Sequence, residues 1–472
     1  MDRRAFLRCA CFASLGWGAL SDRPPNIIFI MADDLGYGEL GCYGQTKIET
    51  PHVDRLAKEG MRFTQYYAGS AVCAPSRCVL MTGQHGGHAF VRNNLRANVE
   101  EMEFPGQHPI PSESLTVAEI LKERGYATGC FGKWGLGRVG SSGDPLKQGF
   151  DRFFGYNCQG HAHNLYPKYL VSDTKNVSLE GNTRGVTGKK YAPALIADQA
   201  LSFLRQHKDE PFFLYYATVL PHLALQAPDE EIAYYKGRWE ETPYHGKSYQ
   251  PHPTPKACYA AMITFLDKQV GRILAALEEL GLERDTVVLF TSDNGTTHLK
   301  EQVDYDFFDS VKGLRGLKGS LYEGGIRVPM VVRWPGRVSP DSVTDHLSSH
   351  YDVLATLSEI TGSKVSKKTD GISFLSALEG RKRGKRHEFL LWDFPGYGGQ
   401  IAVRMGRWKG IKTGLHKEPD ASFQLYDLKK DPFEERDLAS EKPKICEQIE
   451  EILARERTVP VTEKFRFGRY AE

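Results

Sequence analysis

From Pro25 onward, short apolar runs rich in β-branched and aromatic residues alternate with longer stretches in which apolar residues recur every three or four positions. The first pattern predicts buried strands and the second amphipathic helices. Asn26 to Met31 (NIIFIM) has no polar alternation, so both faces of that strand must be covered. Leu115 to Arg124 is a helix closed by Gly125, and it leads into a strand from Tyr126 to Phe131. Phe212 to Thr218 is another strand. Tyr259 to Leu280 carries Met262, Phe265, Leu266, Val270, Ile273, Leu274 and Leu277 at helical spacing, stops at Gly281, and feeds a strand from Thr286 to Thr291. Val328 to Trp334 adds one more. The alternation predicts an α/β fold with a large, mostly parallel sheet sandwiched by helices.

The pattern changes near residue 365. Charged stretches at 364–368 and 379–386 read as solvated surface, and four strand-like runs follow at 389–392, 400–404, 408–413 and 423–428 before a helix from Lys442 to Glu456. A catalytic-sized domain over 23–365 and a smaller C-terminal α+β domain over 366–472, with an antiparallel sheet, are therefore expected. Residues 1–22 differ from both. Arg3-Arg4, then Phe6-Leu7, a short apolar run and small residues to Ser21 make a signal peptide, and the Arg pair suits the twin-arginine type. The expected location is bacterial export, periplasmic or secreted, with no stable membrane span in the mature chain.

Composition narrows the functional classes. The 472 residues are 40% hydrophobic and 25% charged, which is globular, and 61 Lys+Arg against 59 Asp+Glu gives a net charge of +2. No basic excess points to nucleic acid, so anion binding must come from local geometry. The nine cysteines are scattered, odd in number and without paired CxxC spacing, which excludes a disulfide scaffold and a zinc ribbon.

Polar residues recur just past four predicted strands: Asp33-Asp34, Lys133, His222 and Asp293-Asn294. In open α/β sheets that edge carries the site. The sharpest segment is Val72 to Gly83 (VCAPSRCVLMTG), in which Pro75 and Ser76 suit a helix start and put Cys73 at a helix N-terminus. Read from the residues alone, Cys73 is an activated thiolate with Arg77 one turn away to hold an anion.

Cys73-x-Pro75-Ser76-Arg77 followed by Leu80-x-Thr82-Gly83 resembles the signature of the formylglycine-dependent sulfatases, members of the alkaline-phosphatase-like superfamily. Its companions stand in the family's order: Asn26 to Gly38, Gly132-Lys133-Trp134, Pro221-His222, Thr291 to Gly295, Gly316 to Pro329 with Lys318, and Leu425 to Leu428. The resemblance implies that Cys73 is oxidised to an aldehyde by a formylglycine-generating or anaerobic maturase enzyme. It also implies one metal held by Asp33, Asp34, Asp293, Asn294 and the modified Cys73. Those hard oxygen ligands suit calcium, with magnesium the alternative. The implied reaction is hydrolysis of a sulfate ester to sulfate and an alcohol by a gem-diol nucleophile. Lys133, Lys318 and His222 hold sulfate, His222 or Lys318 supplies the alcohol's proton, and Arg77 fixes the diol.

One position departs from the family, which reads Gly-Lys-Trp-His-Leu-Gly where this chain has Gly132-Lys133-Trp134-Gly135-Leu136-Gly137. That histidine is associated with sulfate release. His161 or His163 is expected to fill the space beside Gly135, the alternative being that they line a substrate pocket. The expected substrate is a sulfated small molecule or glycan. Competing readings are a phosphonate or phosphate-diester hydrolase using the same formylglycine, and a non-catalytic protein that binds sulfated glycan.

Overall fold

The computed structural model describes residues 23–97, 104–381 and 384–470, and the expected signal peptide lies outside them. A ten-stranded sheet dominates, in the spatial order Ser342–Thr344, Met61–Phe63, Met330–Arg333, Thr286–Ser292, Asn26–Ala32, Phe212–Ala217, Ala127–Lys133, Arg152–Tyr156, Tyr169–Ser172 and Lys175–Ser178. Its central strands, from Thr286–Ser292 through Arg152–Tyr156, run parallel. Antiparallel pairings flank them at Met330–Arg333 and Tyr169–Ser172, so the sheet as a whole is mixed.

The NIIFIM run shows why the centre is parallel. Ile28, Ile30 and Ala32 enter the core on one face, and Ile27, Phe29 and Met31 enter the core on the other. Successive strand side chains point to opposite faces, so a strand that is apolar throughout needs helices on both sides. The long helix Pro255–Glu279 and the helix Ala192–Gln206 cover one face. The helices Cys73–Thr82, Val117–Glu123 and Asp352–Thr361 cover the other. Val117–Glu123 starts two residues later than its apolar pattern suggests because Thr116 and Glu119 close a reciprocal capping box. Among the described residues no helix is long and apolar enough to cross a membrane.

The C-terminal sheet is antiparallel, with strands Leu390–Phe394, Gln400–Met405, Trp408–Lys412 and Gln424–Asp427 in order. One face packs Leu391, Ile401, Val403 and Leu425 under the helix Pro443–Glu456 through Ile449, Ile452 and Leu453. The other face sends Trp392, Phe394, Ala402 and Tyr426 into the main core, where the Trp392 indole donates to the Ala68 carbonyl at 2.9 Å. Between the two sheets lies a buried ion cluster. Lys409 Nζ sits 2.9 Å from both Glu323 and Glu434, and all three side chains are almost wholly excluded from water.

Removing the only lysine of that cluster leaves two buried carboxylates facing each other. Lys409→Met should therefore lower unfolding stability by about 3–5 kcal/mol in chemical denaturation. A variant as stable as the parent would mean that the cluster does not join the two sheets.

Candidate active site

Four adjacent parallel strands end at one edge of the large sheet, and each hands a polar group to the same spot. Thr286–Ser292 ends in Asp293 and Asn294, Asn26–Ala32 in Asp33 and Asp34, Phe212–Ala217 leads to His222, and Ala127–Lys133 ends in Lys133 itself. The helix Cys73–Thr82 points its N-terminus at the same place, with every residue buried. Its first turn is capped from a distance, because Asn94 Oδ1 accepts the Ala74 N–H at 2.9 Å. Lys318 arrives on a long loop pinned on three sides. Lys318 N–H donates to the Thr296 carbonyl, Gly319 N–H donates to the Ala71 carbonyl, and Gln400 of the C-terminal sheet donates to the Gly319 carbonyl at 2.7 Å.

The contacts are tight. Cys73 Sγ lies 3.3 Å from Asp33 Oδ1, 3.3 Å from Lys133 Nζ and 3.7 Å from Lys318 Nζ. Lys133 Nζ donates to Asp33 at 2.6 Å and Lys318 Nζ to Asp34 at 2.7 Å. Arg77 donates to Asp293 through Nη2 at 2.8 Å and Nε at 3.1 Å, and Nη1 donates to the Lys133 carbonyl. Asn294 Nδ2 donates to Asp34 Oδ1 at 2.7 Å, while Asn294 Oδ1 is buried without a partner. His222 Nε2 is 3.6 Å from Asp34, and its Nδ1 donates to the Leu223 carbonyl at 2.6 Å, which fixes the tautomer with the free lone pair facing the site.

Three carboxylates and three permanent cations thus share one dry edge, and each shifts the other. Burial alone would raise Asp33, but Lys133 and the other surrounding cations outweigh it and hold its carboxyl far below the usual range. Asp293 moves the other way, raised by burial and by Asp33 beside it. Burial opposes the Lys133 and Lys318 charges, yet Asp33 and Asp34 keep both protonated. His222 is pushed well down, first by burial and then by Lys318, so its ring is neutral.

Two expectations need correction. Cys73 is at a helix N-terminus but is not an activated thiolate: burial, followed by Asp293 and Asp33, pushes its thiol well up and keeps the proton on sulfur. Nor does either expected histidine fill the space beside Gly135. A Cβ built there meets Gln159 Nε2 at 2.6 Å and Arg77 Cδ at 3.5 Å. His161 is held instead between Phe104 and Tyr169, with ring contacts to both and Nδ1 accepting the Asn157 N–H. His163 stacks on His222 with ring centroids 5.0 Å apart and meets Tyr249 edge-on. Burial pushes His161 down to about 4 and His163 down to about 2, so both are neutral.

Several neighbours have no signature in the sequence. Ser76 Oγ accepts the Gly69 N–H and lies 3.1 Å from buried His350 Nδ1, steadying the helix behind Cys73. Glu39 joins the Asp34 and Asn294 loops by accepting from Gly36 N–H, Tyr259 and Thr296. On the Lys318 side Tyr397 lies against Gly319 and meets His298 edge-on. Tyr397 is 59% exposed and held at a left-handed φ of 50° in a glycine-rich turn of the C-terminal sheet.

Comparison with known proteins agrees with this geometry. The sulfatase family model matches residues 25–363, and the model described as N-sulphoglucosamine sulphohydrolase, C-terminal, matches residues 316–458. Human arylsulfatase A is 33% identical, covering 93% of this chain and 89% of its own. An N-acetylgalactosamine-6-O-sulfatase of Bacteroides thetaiotaomicron is 31% identical, covering 93% and 94%. The crystal structure of Ps i-CgsB superposes with a TM-score of 0.77 at 27% identity over 92% of each chain. A chain matched over most of its length by the sulfatase model, with its charged side chains gathered at one sheet edge around Cys73, belongs to the sulfatase family and is a sulfuric ester hydrolase.

Proposed function

We propose that this chain cleaves the sulfate ester of a sulfated glycan, with Cys73 converted to formylglycine and one hard divalent cation beside it. The observation that carries the reading is a buried cysteine at a helix N-terminus whose Sγ lies within 4.0 Å of Asp33, Asp34, Lys133 and Lys318, surroundings that also push its thiol well up. A neutral thiol is a poor nucleophile. The hydrate of an aldehyde at the same Cβ offers two hydroxyls, and Cys73 Sγ stands in for one of them here.

The donor set fits such a cation. Asp33, Asp34 and Asp293 are buried hard donors, and the unpartnered Asn294 Oδ1 is a fourth. Calcium, or magnesium in its place, would supply positive charge that offsets the charge building on the sulfate oxygens. Lys133 and Lys318 hold those oxygens from the other side. Arg77, tied to Asp293 and the Lys133 carbonyl, fixes the residue-73 end and does not react.

His222 handles the protons. The anionic sulfate ester arriving beside Nε2 favours the protonated ring, which would pass that proton to the departing alcohol as its S–O bond breaks and sulfur bonds to an oxygen of residue 73, the proton of that attacking hydroxyl being released to water. Neutral again, the same Nε2 takes the proton of the second hydroxyl as the aldehyde re-forms and sulfate leaves. His161 and His163 then need carry no proton, with His163 setting the tilt of the His222 ring by stacking on it.

The sugar follows from the rim. His163 and Tyr249 form one wall beside His222, and His298 with exposed Tyr397 forms another beside Lys318. Flat side chains on two sides suit the apolar face of a pyranose ring. The relatives named for N-acetylgalactosamine sulfate point the same way. We also read residues 1–22 as an export signal, 23–365 as the catalytic domain with 366–472 as the smaller one, and a formylglycine-forming maturase as a required partner.

Mass spectrometry of the peptide containing residue 73 should show aldehyde or hydrate in place of thiol, and a plain thiol in an active preparation would refute the chemistry. Chelation should abolish sulfate release and added calcium or magnesium should restore it. Lys318→Ala should lower kcat/KM by about 10²–10³-fold, as expected for one lost contact to transition-state charge. Preferential turnover of a phosphate diester over a sulfate ester with the same leaving group would favour the diesterase reading instead.

A further inference from the structure

The place beside Gly135 is taken by a side chain with nothing to bond. Gln159 is 6% exposed, its amide Nε2 lies 2.6 Å from the position of a Cβ on Gly135, and among the described residues neither Nε2 nor Oε1 has a hydrogen-bond partner. The backbone is secure, since Gln159 N–H donates to Gln107 Oε1. Leaving both ends of a buried amide unbonded is unfavourable, because neither atom recovers the hydrogen bond to water that it gave up. Such a cost persists where a ligand repays it.

The kind of ligand follows from the pair of orphaned atoms. An amide offers a donor and an acceptor side by side, so a bare sulfate oxygen, which only accepts, satisfies half of it. A hydroxyl both donates and accepts. Hydroxyls reach the site from two sources: the hydrated residue 73, which carries two, and the alcohol part of the substrate. Gln159 lies on the Arg77 side, where a Cβ on Gly135 would be 3.5 Å from Arg77 Cδ, and Arg77 belongs to the residue-73 end of the site.

We propose that Gln159 is a positioning residue for sulfate release, holding the free hydroxyl on residue 73 in the place where the family carries a histidine. This rests on the formylglycine reading above. After the first step Cβ of residue 73 carries one O–SO₃⁻ and one O–H. In this intermediate Gln159 Oε1 accepts the O–H and Nε2 donates to the same oxygen; for collapse the hydroxyl turns about its C–O bond, still held by Nε2, so that its hydrogen faces His222 Nε2. The Cβ–O bond to sulfate breaks with its electron pair leaving on sulfate, C=O forms from the remaining oxygen, and the proton passes to His222 Nε2. An amide cannot take that proton, so Gln159 orients and His222 accepts.

Gln159→Met tests this, because it fills the same volume without hydrogen bonds. With 4-nitrophenyl sulfate the variant should lose about tenfold or more in kcat, show a burst of nitrophenol, and accumulate sulfate ester on the residue-73 peptide by mass. A second readout needs no turnover: Gln159→Met should leave Tm unchanged or raised when residue 73 is an unmodified cysteine, and lower it when residue 73 is formylglycine. Unchanged kcat without a burst, or the same Tm shift in both forms, would overturn the proposal and leave Gln159 as a plug. Loss confined to sugar sulfates would overturn it too, by assigning the amide to a substrate hydroxyl. A thiol at residue 73 in active parent enzyme would instead defeat the formylglycine reading itself.

Discussion

Three carboxylates buried within a few ångströms of one another are the constraint on which the rest of this structure depends. Asp33, Asp34 and Asp293 are almost fully withdrawn from water, and like charges in that setting are unfavourable by several kcal/mol each without counterions. Arg77, Lys133 and Lys318 supply the counterions from a helix, a strand end and a loop. Each of these elements must therefore stop in the right place. The parallel strand order, the capped first turn at Cys73 and the loop pinned by Gly319 all serve to bring charge to one edge.

The same crowding bears on the chemistry proposed at residue 73. A helix N-terminus favours negative charge, but its effect is confined to the first turn and is outweighed by burial next to two carboxylates. Sulfur there stays protonated, and a site with such charges is better suited to neutral oxygen groups that become charged only as the reaction proceeds. His222 fits that setting because its tautomer is set by a backbone carbonyl and not by a titrating partner.

The C-terminal sheet is part of the site and not an appendage. Its inner face is continuous with the main core, Gln400 holds the Lys318 loop, and Lys409 reaches across to Glu323 at the far end of the same loop segment. Its first turn carries Tyr397 to the rim. A change in this sheet is felt next to Lys318 because Gln400 bonds the loop at both Gly319 and Leu321.

Much was legible in order of residues. Apolar periodicity located the central strands and the long helices to within a few residues, and the segments around Cys73, Asp33, Asp293 and Lys318 stood out as the ones the fold brings together because each is a continuous run of chain with its own local requirement. The short strands at one margin of the sheet were less visible: Met61–Phe63 and Ser342–Thr344 are three residues long, too short for any period to register. The neighbours His350, Glu39 and Gln159 were invisible for a different reason. Each owes its place to a partner far along the chain or to an empty space beside a glycine, and neither leaves a local pattern.

Sequence by itself determined the α/β layering, the edge of the sheet that carries the site and the family chemistry, because strand period, helix period and short polar segments are local properties. Only the tertiary structure decided which histidine lies beside Asp34, which charges surround the Cys73 thiol, and that Gln159 takes the space beside Gly135. Those outcomes depend on burial and on distances between residues tens to hundreds of positions apart, which no window along the chain contains.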